Sequence, residues 1–142
     1  MMRGLAWWMR AVGVFYVLLG IRLVPAINGG QVTAVTRVDP NAGTTFAALL
    51  DWMFLFGLEM AIIGAFLIAL SRRPLEHRWL VVMVIVLEVV RGSAFDIYYV
   101  SRGYVFAGLY LPFSALHIVI AVTGAILYAR TRTLAREHSH VA

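Results

Sequence analysis

Four continuous apolar stretches dominate this chain of 142 residues, each about 20 residues long, the length an α-helix needs to cross a hydrocarbon core. They occupy residues 5–24, 46–70, 79–100 and 104–129, and little chain lies outside them. A soluble domain of this size has no interior large enough for such a sequence, in which 62% of residues are AVILMFWYC and the mean hydropathy is +0.86. The expected fold is therefore all-α: a single membrane domain over residues 1–142, built as an antiparallel, up-down-up-down four-helix bundle.

The connections fit that topology. The linker over residues 25–45 is polar, carries the turn formers Asn28-Gly29-Gly30 and Asp39-Pro40-Asn41, and is expected as an outer loop. The linker over 71–78 contains Pro74, and the third is little more than Ser101-Arg102-Gly103. Short links make consecutive spans antiparallel neighbours. Residues 131–142, with His138 and His140, are expected as a disordered tail. The apolar run after Arg3 has the outline of a secretory signal peptide. Its length, its Arg10 and Arg22, and the lack of an A-x-A site favour a retained span.

All 12 basic residues are arginines, which with seven acids give a net charge of +5. Most sit at the ends of apolar runs rather than in a basic stripe, so no nucleic-acid partner is expected; the expected partner is the lipid bilayer. Arg3, Arg10, Arg72, Arg73, Arg78, Arg130, Arg132 and Arg136 share one side, against Arg22, Arg37 and Arg102 on the other. The positive-inside rule then makes both termini cytoplasmic, with the bacterial plasma (inner) membrane as the expected location. Trp7, Trp8, Trp79 and Tyr128 fall at the inner interface, and Trp52, Tyr98, Tyr99 and Tyr104 at the outer one, as aromatic belts do. The absence of cysteine excludes disulfides, zinc-thiolate sites, thiol nucleophiles and iron–sulfur clusters.

An ionisable side chain in the bilayer core costs roughly 2.5–3.5 kcal/mol on insertion scales, so each one inside a span requires a partner or a wet cavity. Glu59, Glu88 and His117 share a depth of about 18–20 Å from the outer ends of their spans, near the mid-plane. Arg91, Asp51, Asp96 and Arg22 form a second layer nearer the outside. Helical angles of about 60–80° place Arg91 and Asp96 on either side of Glu88, and Asp51 close to Glu59, so both faces can look inward. Two readings stand side by side. In one, Glu88 with Arg91 at i, i+3, Glu59 with His117, and Arg22 with Asp51 lock the bundle. In the other, Glu59, Glu88, Arg91, His117, Asp51 and Asp96 line a ligand cavity or a proton relay. A fourth span starting at Pro112 would move His117 outward and dissolve the mid-plane group. The Glu-x-x-His motif of di-iron bundles is missing, so no metal and no cofactor are expected.

Small residues recur at four-residue spacing in two spans, at Gly57, Ala61 and Ala65 and at Ala121, Ala125 and Ala129. Such stripes let helices approach closely, either within the chain or against a second copy or another membrane protein. Gly13 and Gly20 in the first span suit the same packing.

No G-x-S-x-G, H-E-x-x-H, Walker A or G-x-G-x-x-G occurs, and no catalytic residue is assigned. The segments LAWWMRAVGVFYVLLG (residues 5–20), LLDWMFLFGLEM (49–60), VLEVVRGSAFDIYYVSRGY (86–104) and HIVIAVTGAILYAR (117–130) resemble the BphX-like family of small integral membrane proteins. The resemblance covers all four spans. It is clearest at Asp51, Glu59, Glu88, Arg91, Gly92, Asp96, Arg102 and His117, and implies membrane location, a contextual link to aromatic catabolism, and no mechanism. The leading functional expectation is an outward-opening polar cavity within the bundle that binds or moves a small aromatic or amphipathic molecule. The competing one is an accessory subunit of a larger membrane complex. A membrane enzyme using carboxylate acid/base chemistry ranks last.

Overall fold

The computed structural model describes residues 2–139, with side chains described for residues 3–134. The elements are α1 (Met2–Arg22), α2 (Pro25–Val35), α3 (Thr44–Leu70), α4 (Arg78–Leu87), a π-helical segment (Glu88–Ala94), α5 (Phe95–Ser101) and α6 (Ala107–Ser139). No strand forms among the described residues, and the fold is all-α as expected. Three helical stretches are each long and apolar enough to cross a membrane: Arg3–Arg22, Thr44–Leu70 and Ala107–Leu134. The third expected span is also helical from end to end, but the π-helical segment divides it. There the amide of Phe95 reaches back to the carbonyl of Val90, an i→i+5 bond in place of i→i+4.

Glycines set the register between α1 and α3. Gly13 faces Gly64 and Gly20 faces Gly57, so seven residues up one helix match seven down the other and the pair is antiparallel. A Cβ on Gly13 would lie 2.7 Å from the Gly64 carbonyl oxygen, and one on Gly57 would lie 2.8 Å from the Leu23 Cβ. Only bare backbone permits that approach. Against α6, α1 presents Trp8, whose Nε1 donates to the Ile120 carbonyl at 3.1 Å and whose ring covers Gly124. Further along, Phe15 meets Phe113 and His117, so this pair is antiparallel too. Leu5, Met9, Val12 and Tyr16 of α1 gather Met60, Leu67, Val81 and Val84 into the core. The apolar window of α1 is 39% buried, against 22% for α3 and α6. α1 is thus the most buried of the three and packs on both α3 and α6, while the outward faces of α3 and α6 stay apolar and uncovered, as lipid-facing surfaces are.

The expected loop over 25–45 departs from its reading, because residues 25–35 form α2 despite Gly29 and Gly30. Pro25 at the first helical position fixes φ for entry. Asn28 and Val32, one turn apart, are buried on one face. The C-terminus of α2 is tied to the segment before α6: Thr36 and Val105 form an isolated antiparallel bridge, and the Arg37 amide donates to the Tyr104 carbonyl at 3.1 Å. Gly103, at φ 69°, supplies the left-handed turn that brings Tyr104 there. The tail expected to be disordered from residue 131 instead continues α6 to Ser139, since residues 131–139 contain no glycine or proline to stop it. The side chain of His138, and His140 altogether, lie outside the described residues.

Candidate functional site

Three helical rods bring Tyr16, Glu88 and His117 to one point. The Tyr16 hydroxyl donates to Glu88 Oε1 at 2.5 Å, and His117 Nδ1 lies 2.5 Å from Glu88 Oε2. Glu88 is 1% exposed, Tyr16 2% and His117 6%, so both carboxylate oxygens are engaged out of solvent. The imidazole is walled by Phe113, with ring centroids 4.9 Å apart, and by Phe15. It sits directly over Gly92, where a Cβ would overlap the ring. Ser93 and Ser114 exchange hydroxyl-to-carbonyl hydrogen bonds one step further out, at 3.3 and 3.4 Å. Tyr16 and His117 thus join α1 and α6 to Glu88 in one buried polar knot.

The mid-plane grouping therefore divides. Glu88 and His117 meet, and Pro112 lies inside α6 rather than at its start, but Glu59 does not join them. Glu59 pairs with Arg91 in a two-pronged bridge, Nη1 to Oε1 at 2.9 Å and Nη2 to Oε2 at 2.7 Å. The expected Glu88–Arg91 staple does not form. In a π turn each residue rotates less about the axis than in an α turn, so a spacing of three falls further short of a full turn. Glu88 then faces α1 and α6 while Arg91 reaches toward α3. The expected Arg22–Asp51 pair is also absent: Arg22 Nε donates to Gln31 of α2 at 3.0 Å, and Asp51 is exposed on α3. The inward face of α3 is the opposite one, Gly57, Met60, Gly64 and Leu67, because its small residues admit α1.

The Arg91–Glu59 bridge is the accessible part of the polar set. Its side chains are 25% and 53% exposed, and the guanidinium lies over the Phe56 ring at 4.5 Å. The bridge spans from the π-helical segment to α3, whereas the backbone of α3 packs mainly on α1 and that of the π-helical segment on α6. Beside Glu59 on α3, Leu55 and Ile62 are 55% and 50% exposed, which makes the flank of the bridge apolar. Asp96 is 8% exposed, its Oδ2 has no hydrogen-bond partner among the described residues, and it is close enough to His117 and Tyr110 to interact electrostatically with both. Among the described residues no three His, Asp or Glu side chains converge as a metal set.

Of the small-residue stripes, Gly57 and Ala61 pack against Gly20 within the chain, while Ala65 is exposed. Ala121 is buried and Ala125 is exposed; Gly124, under Trp8, takes the place the stripe assigned to Ala125. A spacing of four drifts about 40° per step around a helix, so such a stripe leaves the contact face after one or two steps. Sequence reasoning missed Tyr16. A tyrosine in the middle of an apolar span is the signal that pointed to it, since a buried hydroxyl needs a partner.

No curated protein and no solved structure matches this chain. The BphX-like family matches residues 2–133, nearly the whole length and every helix described above. This membrane protein belongs to the BphX-like family.

Proposed function

We propose that the chain is a four-span protein of the bacterial inner membrane, with both termini cytoplasmic, that binds a small amphipathic molecule at the Arg91–Glu59 bridge. The observation that carries this reading is the half-exposure of a bidentate ion pair far inside the apolar length of its helices. Ionisable groups at that depth face a protein interior or a wet cavity rather than lipid tails, so something polar covers this one. An amphipathic molecule with an anionic head offers Arg91 the same two-oxygen geometry that Glu59 does. Its apolar part then lies along Leu55, Phe56 and Ile62. The Glu88 knot serves this site as a fixed wall rather than as a ligand group. With α2 packed on α3 and tied to the segment before α6, entry is lateral, from the bilayer, rather than through an outward opening.

The test is thermal unfolding of the purified protein in mild detergent with a graded series of aliphatic and aromatic carboxylates. A bound ligand stabilises the folded state by mass action, by about 2.7 kcal/mol at a hundredfold excess over Kd. Stabilisation that grows with the apolar tail, disappears in Arg91→Gln and survives in Asp51→Asn is the expected result. No shift with any carboxylate would overturn it.

A second reading, an accessory subunit, draws on the same half-exposed Glu59, which a helix of another protein or a second copy would cover. The Gly57–Ala61 pair no longer argues for it, being used within the chain. Because the chain has no cysteine, a single Ile62→Cys substitution tests it directly. Disulfide-linked dimers or a cross-linked partner in native membranes favour that reading, and a solely monomeric product counts against it.

A further inference from the structure

At the other end of the molecule, α4 and α6 pack side by side and leave a recess of about 320 Å³ lined by Arg78, Trp79, Val82, Tyr128 and Arg132. The lining follows from helical spacing, since Arg78 and Val82 share one face of α4, and Tyr128 and Arg132 one face of α6. Neither arginine makes an ion pair among the described residues, and Glu76, two residues before Arg78, is paired with Arg73 at 3.4 Å. Arg78 instead lies over the Trp79 ring at 5.5 Å. The start of α4 adds to the positive potential, with no acidic residue in its first turn and no side chain capping its amides. Two arginines without ion pairs, on separate helices and beside a helix N-terminus, thus line a recess that has no acidic lining residue.

We propose that this recess binds the phosphate group of an anionic phospholipid from the leaflet at this end of the protein. Guanidinium groups match phosphate oxygens in fork geometry. The aromatic wall identifies the source as lipid: Trp79 is 72% exposed, and Trp and Tyr rings settle at headgroup level. Val82 continues the wall from the charged rim toward the apolar belt, along the path of an acyl chain. Basic recesses between membrane helices hold anionic headgroups in this way. The site is separate from the Arg91–Glu59 bridge and stands whether or not that bridge binds a ligand.

The experiment is thermal denaturation of the full chain in a neutral detergent, titrated with phosphatidylglycerol, phosphatidylcholine or soluble glycerol phosphate. Phosphatidylglycerol alone is expected to raise the midpoint. The double variant Arg78→Gln/Arg132→Gln is expected to need about thirtyfold more of it, from about fivefold per arginine. Arg72→Gln/Arg130→Gln removes the same charge at the same end from residues that do not line the recess, and is expected to respond as the unaltered chain does. If the double variant is too unstable to compare, Arg132→Gln alone carries the test. Equal stabilisation by phosphatidylcholine, an equal response to glycerol phosphate, or an equal loss in the Arg72/Arg130 variant would each overturn the assignment.

Discussion

Glu88 accepts or shares hydrogen bonds with two helices other than its own, and neither of its oxygens meets solvent. A carboxylate in that position stabilises the fold through its partners, and the energetic asymmetry lies in its removal. Glu88→Ala strands the Tyr16 hydroxyl and the His117 ring without a partner. It is expected to cost about 3–5 kcal/mol in unfolding free energy, read from denaturant unfolding in mild detergent. Tyr16→Phe leaves the buried Glu88 Oε1 without its partner and is expected to cost about 1–3 kcal/mol. A Glu88→Ala protein as stable as the parent would show that the knot does not hold the rods together. That Glu88 and His117 lie at one level was legible in the sequence from depth alone, because both are polar residues inside apolar spans about equally far from the outer ends. Their true partners were not, since Tyr16 counts as apolar in hydropathy and depth does not say which way a side chain points.

Among elements, the π-helical segment decides how the polar residues are shared out. It places Glu88 on the α1–α6 side and Arg91 toward α3, which an uninterrupted α-helix would hold about 60° apart on one face. Deleting Val90 is expected to restore α periodicity, turn the downstream residues about the axis, and break either the Glu88 knot or the Arg91–Glu59 bridge. Loss of thermal stability beyond that of Val90→Ala is the measurement. The α1–α3 contact depends on glycine in the same local sense. Gly64→Leu, facing the Gly13 carbonyl, is expected to be strongly destabilising, while Ala65→Leu, one residue away on the exposed face, is expected to be near neutral in the same assay. The helical spans themselves could be read from hydropathy because twenty apolar residues admit few other folds. α2 could not. Gly29 and Gly30 together lower helix propensity by about 2 kcal/mol, and what outweighs them is tertiary: burial of Asn28 and Val32 and the tie from Thr36 to Val105.

For the whole molecule, the arginine asymmetry yields a topology that a cysteine-free chain makes simple to test. Asp39→Cys in the α2–α3 link is expected to react with an impermeant thiol reagent on intact cells. Arg73→Cys, in the turn before α4, is expected to react only after the membrane is opened. The reverse pattern would invert the protein and move the recess between Arg78 and Arg132 to the other leaflet. The placement of α2 has a consequence of a different kind. With α2 packed on α3 and the Arg91–Glu59 bridge open at the side, the concentration that would govern occupancy by the proposed ligand is the one dissolved in the bilayer. Two molecules with the same intrinsic affinity for the bridge would then show apparent affinities that differ by the ratio of their lipid–water partition coefficients.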